Sequence, residues 1–153
     1  MSAVLKETPR LAPMSEADLT EVLEIENAIY AHPWTPGNFV DSLRAGYQCW
    51  TYRAGSELIG YFVLLAAADE AHLLNLSVAA PWQRRGYGSA LLREAMSVAR
   101  EHSGRRVFLE VRSSNPGAQA LYARFGFRRI AVRRGYYPAR EGREDALVLT
   151  LPL

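Results

Sequence analysis

A chain of 153 residues, 49% apolar and 22% charged, can bury one core and is short for two, so a single domain over residues 1–153 is expected. No apolar run approaches the roughly 20 residues of a membrane-spanning helix, Met1 to Thr8 lacks the apolar stretch of a signal peptide, and the lone Cys49 fits a reducing cytoplasm. The net charge of +2 divides unevenly: residues 1–83 carry four basic and ten acidic side chains, a net of −6, while residues 84–153 carry fourteen and six, a net of +8. That split suits one half facing an anion and the other a cation, although charges also simply solvate a surface. His32, His72 and His102 stand at no metal-ligand spacing to one another or to Cys49, so no metal is expected.

In chain order, a short strand is read at Arg10 to Met14. Ser15-Glu16-Ala17-Asp18 then forms a capping box that opens a helix. Leu19, Val22, Leu23, Glu26 and Ile29 recur at helical spacing, a stripe apolar but for one acid. Thr35-Pro36 starts a second helix, with Phe39, Val40 and Leu43 inward. Gln48 to Arg53 and Leu58 to Ala66 read as a hairpin about Ala54-Gly55-Ser56, and Ala71 to Val78 as the next strand. From Gly88 to about His102, Leu91, Leu92, Ala95, Met96 and Ala99 form one apolar helical stripe. A strand at Val107 to Arg112 precedes a helix from Pro116 to Phe125, closed by Gly126. Two strands, Phe127 to Tyr137 and Ala146 to Leu151, end an α/β (α+β) layout with a mixed sheet.

Between the fourth strand and the third helix lies Gln83-Arg84-Arg85-Gly86-Tyr87-Gly88-Ser89. Two glycines there permit a backbone that presents successive N–H groups, and the following helix adds the positive end of its dipole, a setting for pyrophosphate. Glycine pairs also mark plain tight turns, so spacing alone leaves both readings open. No Gly-Lys-Ser/Thr follows, which removes the P-loop reading, and the three-glycine dinucleotide fingerprint is incomplete.

The Q-x-x-G-x-G run, with Asn75-Leu76-Ser77-Val78 and Pro81-Trp82 before it, resembles the coenzyme A motif of the GNAT acetyltransferases. Three further stretches resemble the RimI-type enzymes of that family, which acetylate the N-terminal alanine of a small-subunit ribosomal protein. They are His32-Pro33-Trp34-Thr35, Leu109 to Asn115, and the long run from Tyr136 to Ala146. The resemblance implies the GNAT acyltransferase fold, a mixed and mostly antiparallel sheet of about seven strands with four helices, acting on acetyl-coenzyme A. It assigns the acetyl-pantetheine arm to Leu76, Ser77 and Val78, the pyrophosphate to Arg84, Arg85, Gly86, Tyr87, Gly88 and Ser89, and a further contact with the arm to Asn115. It also implies a bulge near Asn75 and Leu76, where the strand splays from its neighbour.

Acetyl transfer to an amine requires a base for the ammonium proton and an acid for the departing thiolate. Glu110 sits mid-strand between Leu109 and Val111, where a carboxylate is unexpected unless its face opens to a site, and it aligns with the family's general base. Its plain alternative is a surface pair with Arg112 on the same face. Tyr122 aligns with the general acid, in Ala120-Leu121-Tyr122 just before Phe125-Gly126-Phe127, and its plain alternative is a core tyrosine. An α-amino group titrates near pH 7.7–8.0, about 2.5 units below lysine, so an N-terminal acceptor asks less of a glutamate base. Cys49 beside Trp50, with no histidine near, reads as a small buried residue more than a nucleophile.

The resemblance places the acceptor groove between the first two helices and the loop around Tyr136 to Glu144, where Tyr136 and Tyr137 alternate between groove and core. Glu21, Glu24 and Glu26 give the first helix an acidic character suited to steering a basic peptide or protein N-terminus. Other readings are an acetyltransferase for lysine or small amines, a non-catalytic coenzyme A-binding subunit, and, disfavoured by the scatter of the arginines, a nucleic-acid binder.

Overall fold

The computed structural model describes residues 7–153; Met1 to Lys6, within the stretch that lacks a leader-like apolar run, lie outside the described residues. The elements in chain order are β1 (Arg10–Pro13), α1 (Leu19–Ile29), α2 (Pro36–Arg44), β2 (Gln48–Ala54), β3 (Glu57–Ala67), β4 (Glu70–Val78), α3 (Tyr87–Glu101), β5 (Arg106–Arg112), α4 (Pro116–Phe125), β6 (Arg128–Pro138) and β7 (Arg143–Pro152). The seven strands form one sheet in the order β1-β2-β3-β4-β5-β7-β6. Only the β4–β5 pair is parallel.

Local chemistry sets the helix ends. Ser15 N donates to Asp18 Oδ2 at 2.8 Å, but the box opens a single 3-10 turn, Glu16–Asp18, before α1 begins at Leu19. Thr35 N donates to Asn38 Oδ1 and Asn38 N to Thr35 Oγ1, a reciprocal cap that fixes the start of α2 with Pro36 at its first position. Pro36 and Pro116 give up no bond there, because the first helical N–H has no partner inside a helix. Gly126, at φ 98°, takes the left-handed turn that closes α4.

Helices cover both faces of the sheet. Leu91, Leu92, Ala95, Met96 and Ala99 of α3 pack with Tyr122 of α4 onto Ile59, Phe62, Leu64 and Val107. On the opposite face, Leu19 and Val22 of α1 and Phe39 of α2 meet Cys49, Tyr61 and Val63. Phe39 is wholly buried with its ring centroid 5.9 Å from that of Tyr61, so Phe39→Ala would cost about 3–5 kcal/mol by the usual cavity penalty.

Two irregularities shape the middle of the sheet. Between β3 and β4 the register shifts at Leu74: Leu64 faces Leu73, yet Val63 faces Asn75, leaving Leu74 as the extra residue. The bulge falls next to Asn75, near where the resemblance implies one. Its effect is to invert the alternation, since Ala71 and Leu73 face the α3 side while Asn75 and Ser77 face α1. At the same place the parallel ladder ends, because β4 and β5 pair only from Glu70↔Arg106 to Leu73↔Leu109. Beyond those residues the two strands splay into a V.

Candidate active site

The V opens into a cleft of ≈ 240 Å³ lined on one side by Leu74, Asn75 and Leu76 of β4 and on the other by Leu109 to Arg112 of β5. Glu26 and Tyr30 from α1 and its end, His32 and Trp34 from the connection to α2, Asn115, Ala118 and Tyr122 from around α4, and Tyr137 from β6 complete the wall. A second hollow of ≈ 540 Å³ adjoins it, shares Tyr30, His32 and Arg112, and extends to Ala139, Arg140, Glu141 and Glu144. The two form a groove running from the splayed strands to the β6–β7 loop.

Glu110 and Tyr122 line the same cleft. Alternation along β5 buries Val107, Leu109 and Val111 and leaves Glu110 half-exposed. The plain alternative, a surface pair of Glu110 with Arg112, is absent among the described residues. Arg112 instead binds Glu144 Oε1 at 2.7 Å and the Pro138 carbonyl at 2.7 Å, with its guanidinium 4.3 Å from the Tyr137 ring centre. Glu110 faces Arg133 Nε at a looser 3.5 Å, so no close partner holds it. Because Arg112 and Ser114 hydrogen-bond Glu144, its carboxyl titrates below the ordinary value.

The Tyr122 ring is buried against Phe127, yet its hydroxyl makes no hydrogen bond to any described residue and borders the cleft. Burial, and then the neighbouring Tyr30 and Tyr137, push that hydroxyl well above the usual phenol range and keep it protonated. Tyr137 is pushed up to about 12, first by burial and then by the charge of Glu110, so it too remains neutral. Tyr136, in contrast, is 42% exposed.

The residues expected to hold coenzyme A fall into two groups. Leu76 and Asn115 line the cleft, whereas Ser77 lies behind it, buried, with its hydroxyl 2.6 Å from that of Tyr30. The Asn115 side-chain oxygen caps α4 by accepting from Ala118 N at 3.1 Å, and its amide nitrogen makes no hydrogen bond to a described residue. Val78 precedes the cradle, and its carbonyl accepts from Gln83 Nε2 at 2.9 Å. Arg84 to Ser89 form the turn into α3: Arg84 at φ 61° and Gly86 at φ 87° alternate with Arg85. Such left-handed residues turn successive N–H groups to one side. A side chain at Gly86 would meet nothing within 4 Å, so the turn opens onto free space at the helix N-terminus. An open V beside a protonated hydroxyl without a partner, and an open turn at the N-terminus of α3, fit an extended thioester arm with a pyrophosphate.

Two features were not foreseen from the sequence. Glu26 is not part of an acidic surface: it is 2% exposed, whereas Glu21 and Glu24 are exposed and Glu21 is engaged by Arg53 at 2.9 Å. Tyr30 lines both hollows, though nothing local marks it, and so does His32, which stands in the His32-Pro33-Trp34-Thr35 stretch that carries part of the resemblance. The one signal for Glu26 was its place on an otherwise apolar stripe. Cys49 is buried as expected, and desolvation pushes its thiol up to about 11. Among the described residues, no cluster of three or more His, Cys, Asp or Glu side chains is arranged to hold a metal ion, and no helix is long and apolar enough to cross a membrane.

Residues 19–127 match the Acetyltransferase (GNAT) family. The chain belongs to that family and is an N-acetyltransferase using acetyl-coenzyme A. Within the family it is similar to the [ribosomal protein bS18]-alanine N-acetyltransferase of Escherichia coli strain K12, at 32% identity over 94% of this chain and 97% of that one. The Salmonella typhimurium protein of the same name is 34% identical over 92% of this chain and 95% of its own. The crystal structure of the Escherichia coli ribosomal-protein-S18-alanine N-acetyltransferase superposes with a TM-score of 0.88, covering 95% of this chain and 94% of the other. Ard1 from Thermoplasma volcanium follows at 0.84 and 25% identity, over 95% and 97%.

Proposed function

We propose that this enzyme acetylates the N-terminal alanine of ribosomal protein bS18, with Glu110 as general base and Tyr122 as general acid. The observation that carries the chemistry is the Tyr122 hydroxyl, protonated, without a partner and bordering the same cleft as Glu110. The relatives' activity carries the choice of acceptor. A ribosomal acceptor also fits a cytoplasmic enzyme.

Acetyl-coenzyme A supplies an activated acyl group and a thiolate leaving group. Leu76, Ser77 and Val78 hold its arm along the edge of β4, beside Asn115, and Arg84 to Ser89 receive the pyrophosphate on backbone N–H groups. The groove between the α1–α2 connection and the β6–β7 loop admits the acceptor's N-terminus. Glu110, held only loosely by Arg133, takes the ammonium proton. Tyr122 holds a proton at its hydroxyl for the departing sulfur. The low pKa of an α-amino group makes this base adequate for an N-terminus and a poor one for lysine, a difference of about 2.5 units.

Mass spectrometry of two peptides tests the acceptor: one with a free N-terminal alanine before a basic stretch, the other N-terminally blocked with an internal lysine. Acetylation of the first alone is expected, and modification of the lysine would overturn the acceptor assignment. Glu110→Gln and Tyr122→Phe should each lower turnover about 10²–10⁴-fold while acetyl-coenzyme A still binds by calorimetry. Near-wild-type turnover in either variant removes that residue from the mechanism.

A further inference from the structure

We infer that Glu26 is a positioning residue for the acceptor: its buried carboxyl group tethers the α1–α2 connection to the rigid sheet and so sets the wall against which the acceptor amine is presented. The kinetic part of this inference rests on the acetyl-transfer reading, whereas the structural part stands on geometry alone.

The carboxyl group gathers donors from three separate elements. Oε1 accepts from the Tyr61 hydroxyl of β3 at 2.7 Å and from Asn75 Nδ2 of β4 at 3.1 Å; Oε2 accepts from the backbone N–H of Trp34 at 2.9 Å. The chain of bonds continues away from it. Ser77 donates to Asn75 Oδ1 at 2.6 Å, which leaves Tyr30 as donor to Ser77 at 2.6 Å, with a longer approach to the Leu76 carbonyl at 3.3 Å. The bulge at Leu74 makes this network possible by turning Asn75 and Ser77 toward α1.

The two ends of the tether differ in what else holds them. Tyr61 and Asn75 are fixed by the β3–β4 ladder, where Tyr61 pairs with Ser77 and Asn75 with Val63. Residues 31–34 belong to no helix or strand, and the Trp34 bond to Glu26 is the one hydrogen bond they make to described residues. Yet His32 and Trp34 from this segment, with Tyr30 just before it, line the cleft. A charged side chain is among the least favoured groups to bury, and this one is placed where a single backbone N–H fixes the acceptor side of the site.

Glu26→Met matches the side chain in length and removes both carboxylate oxygens, leaving only a weakly accepting sulfur. Glu26→Gln keeps an oxygen for Trp34, and Asn75 can turn its amide to accept from the new nitrogen. In hydrogen exchange on the wild-type protein, the Trp34 amide should be protected relative to those of Ala31 and His32. In Glu26→Met that protection should be lost while β3 and β4 keep theirs, as local opening demands. With the peptide that the wild type acetylates, Glu26→Met should raise acceptor KM about tenfold or more, a loss of about 1.4 kcal/mol in acceptor binding. Acetyl-coenzyme A KM should stay unchanged, and Glu26→Gln should restore the acceptor value.

A wild-type Trp34 amide that exchanges as fast as that of His32 would overturn the inference, whether or not Glu26→Met folds. So would a folded Glu26→Met with unchanged acceptor KM, or with both KM values raised alike. If lysine rather than alanine is acetylated, the bS18 reading fails and the same comparison is made with the lysine peptide. If neither peptide is a substrate, the exchange result decides.

Discussion

Gly60 lies mid-strand in β3, buried beneath α3, and its side-chain hydrogen points at the strand expected to hold the acetyl arm. A Cβ built there would stand 2.4 Å from the Ser77 carbonyl oxygen and 3.2 Å from Leu91 Cδ2. The leucine methyl can rotate away, but the carbonyl belongs to backbone paired on β3 and cannot. Restoring ordinary contact requires a movement of roughly 1 Å in a sheet at interior packing density, and overpacking of this kind costs about 1–3 kcal/mol. The entropy that alanine removes from the unfolded chain returns about 0.4–1 kcal/mol, so Gly60→Ala should lose about 1.3 kcal/mol net. For a chain of 153 residues that is a fall in Tm of about 3–5 °C. Differential scanning calorimetry measures it, with Gly37→Ala as control: there a Cβ meets only Thr35 Oγ1 at 3.7 Å, and no loss is expected. Because the displaced carbonyl is that of Ser77, acetyl-coenzyme A should also bind more weakly to Gly60→Ala. A Tm equal to or above that of the wild type would refute the reasoning, since the conformational gain would then have met no clash.

Gly86→Ala places a side chain in open space but at φ 87°, so any effect is conformational; at about 1–2 kcal/mol the turn should loosen, and acetyl-coenzyme A should bind roughly tenfold more weakly by calorimetry, with acceptor KM unaffected. Cys49, whose thiol is raised from 9.0 to about 11, favours the protonated form more in the folded chain than in the unfolded one. Its contribution to stability is therefore complete below pH 9 and fades as the pH rises toward 11, and iodoacetamide at pH 8 should label it slowly until urea is added. Glu144 has the opposite sign. Its depressed pKa contributes stability above the ordinary 4.5, lost as pH falls through the lower folded value, and in a carboxyl NMR titration Arg112→Met should return its midpoint to the ordinary range.

Features governed by a few neighbouring residues were legible from the sequence. Pro116 and Gly126 dictate backbone geometry by themselves, and α4 runs between them as read. The turn at Gly86 was legible for the same reason, because glycine at a strand-to-helix junction has a local meaning. What depends on pairing was hidden. The bulge falls at a leucine, with no glycine to announce it, because it is set by how β3 and β4 align. Arg112 finds Glu144, 32 positions away, instead of the Glu110 that shares its face. Glu26 passed for surface charge because its partners Tyr61 and Asn75 lie 35 and 49 positions away. Glu110 and Tyr122, singled out from the sequence, do line one cleft, whereas the supports behind it were not foreseen.

The short parallel ladder has a mechanical consequence. Strands β1 to β4 and strands β5 to β7 are each stitched along most of their length, but the two panels share a spine of only four residue pairs. A substrate lying in the V would extend that spine, serving as mortar as well as reagent. Occupancy would then stabilise the folded chain by about 2.7 kcal/mol at a hundredfold excess over Kd.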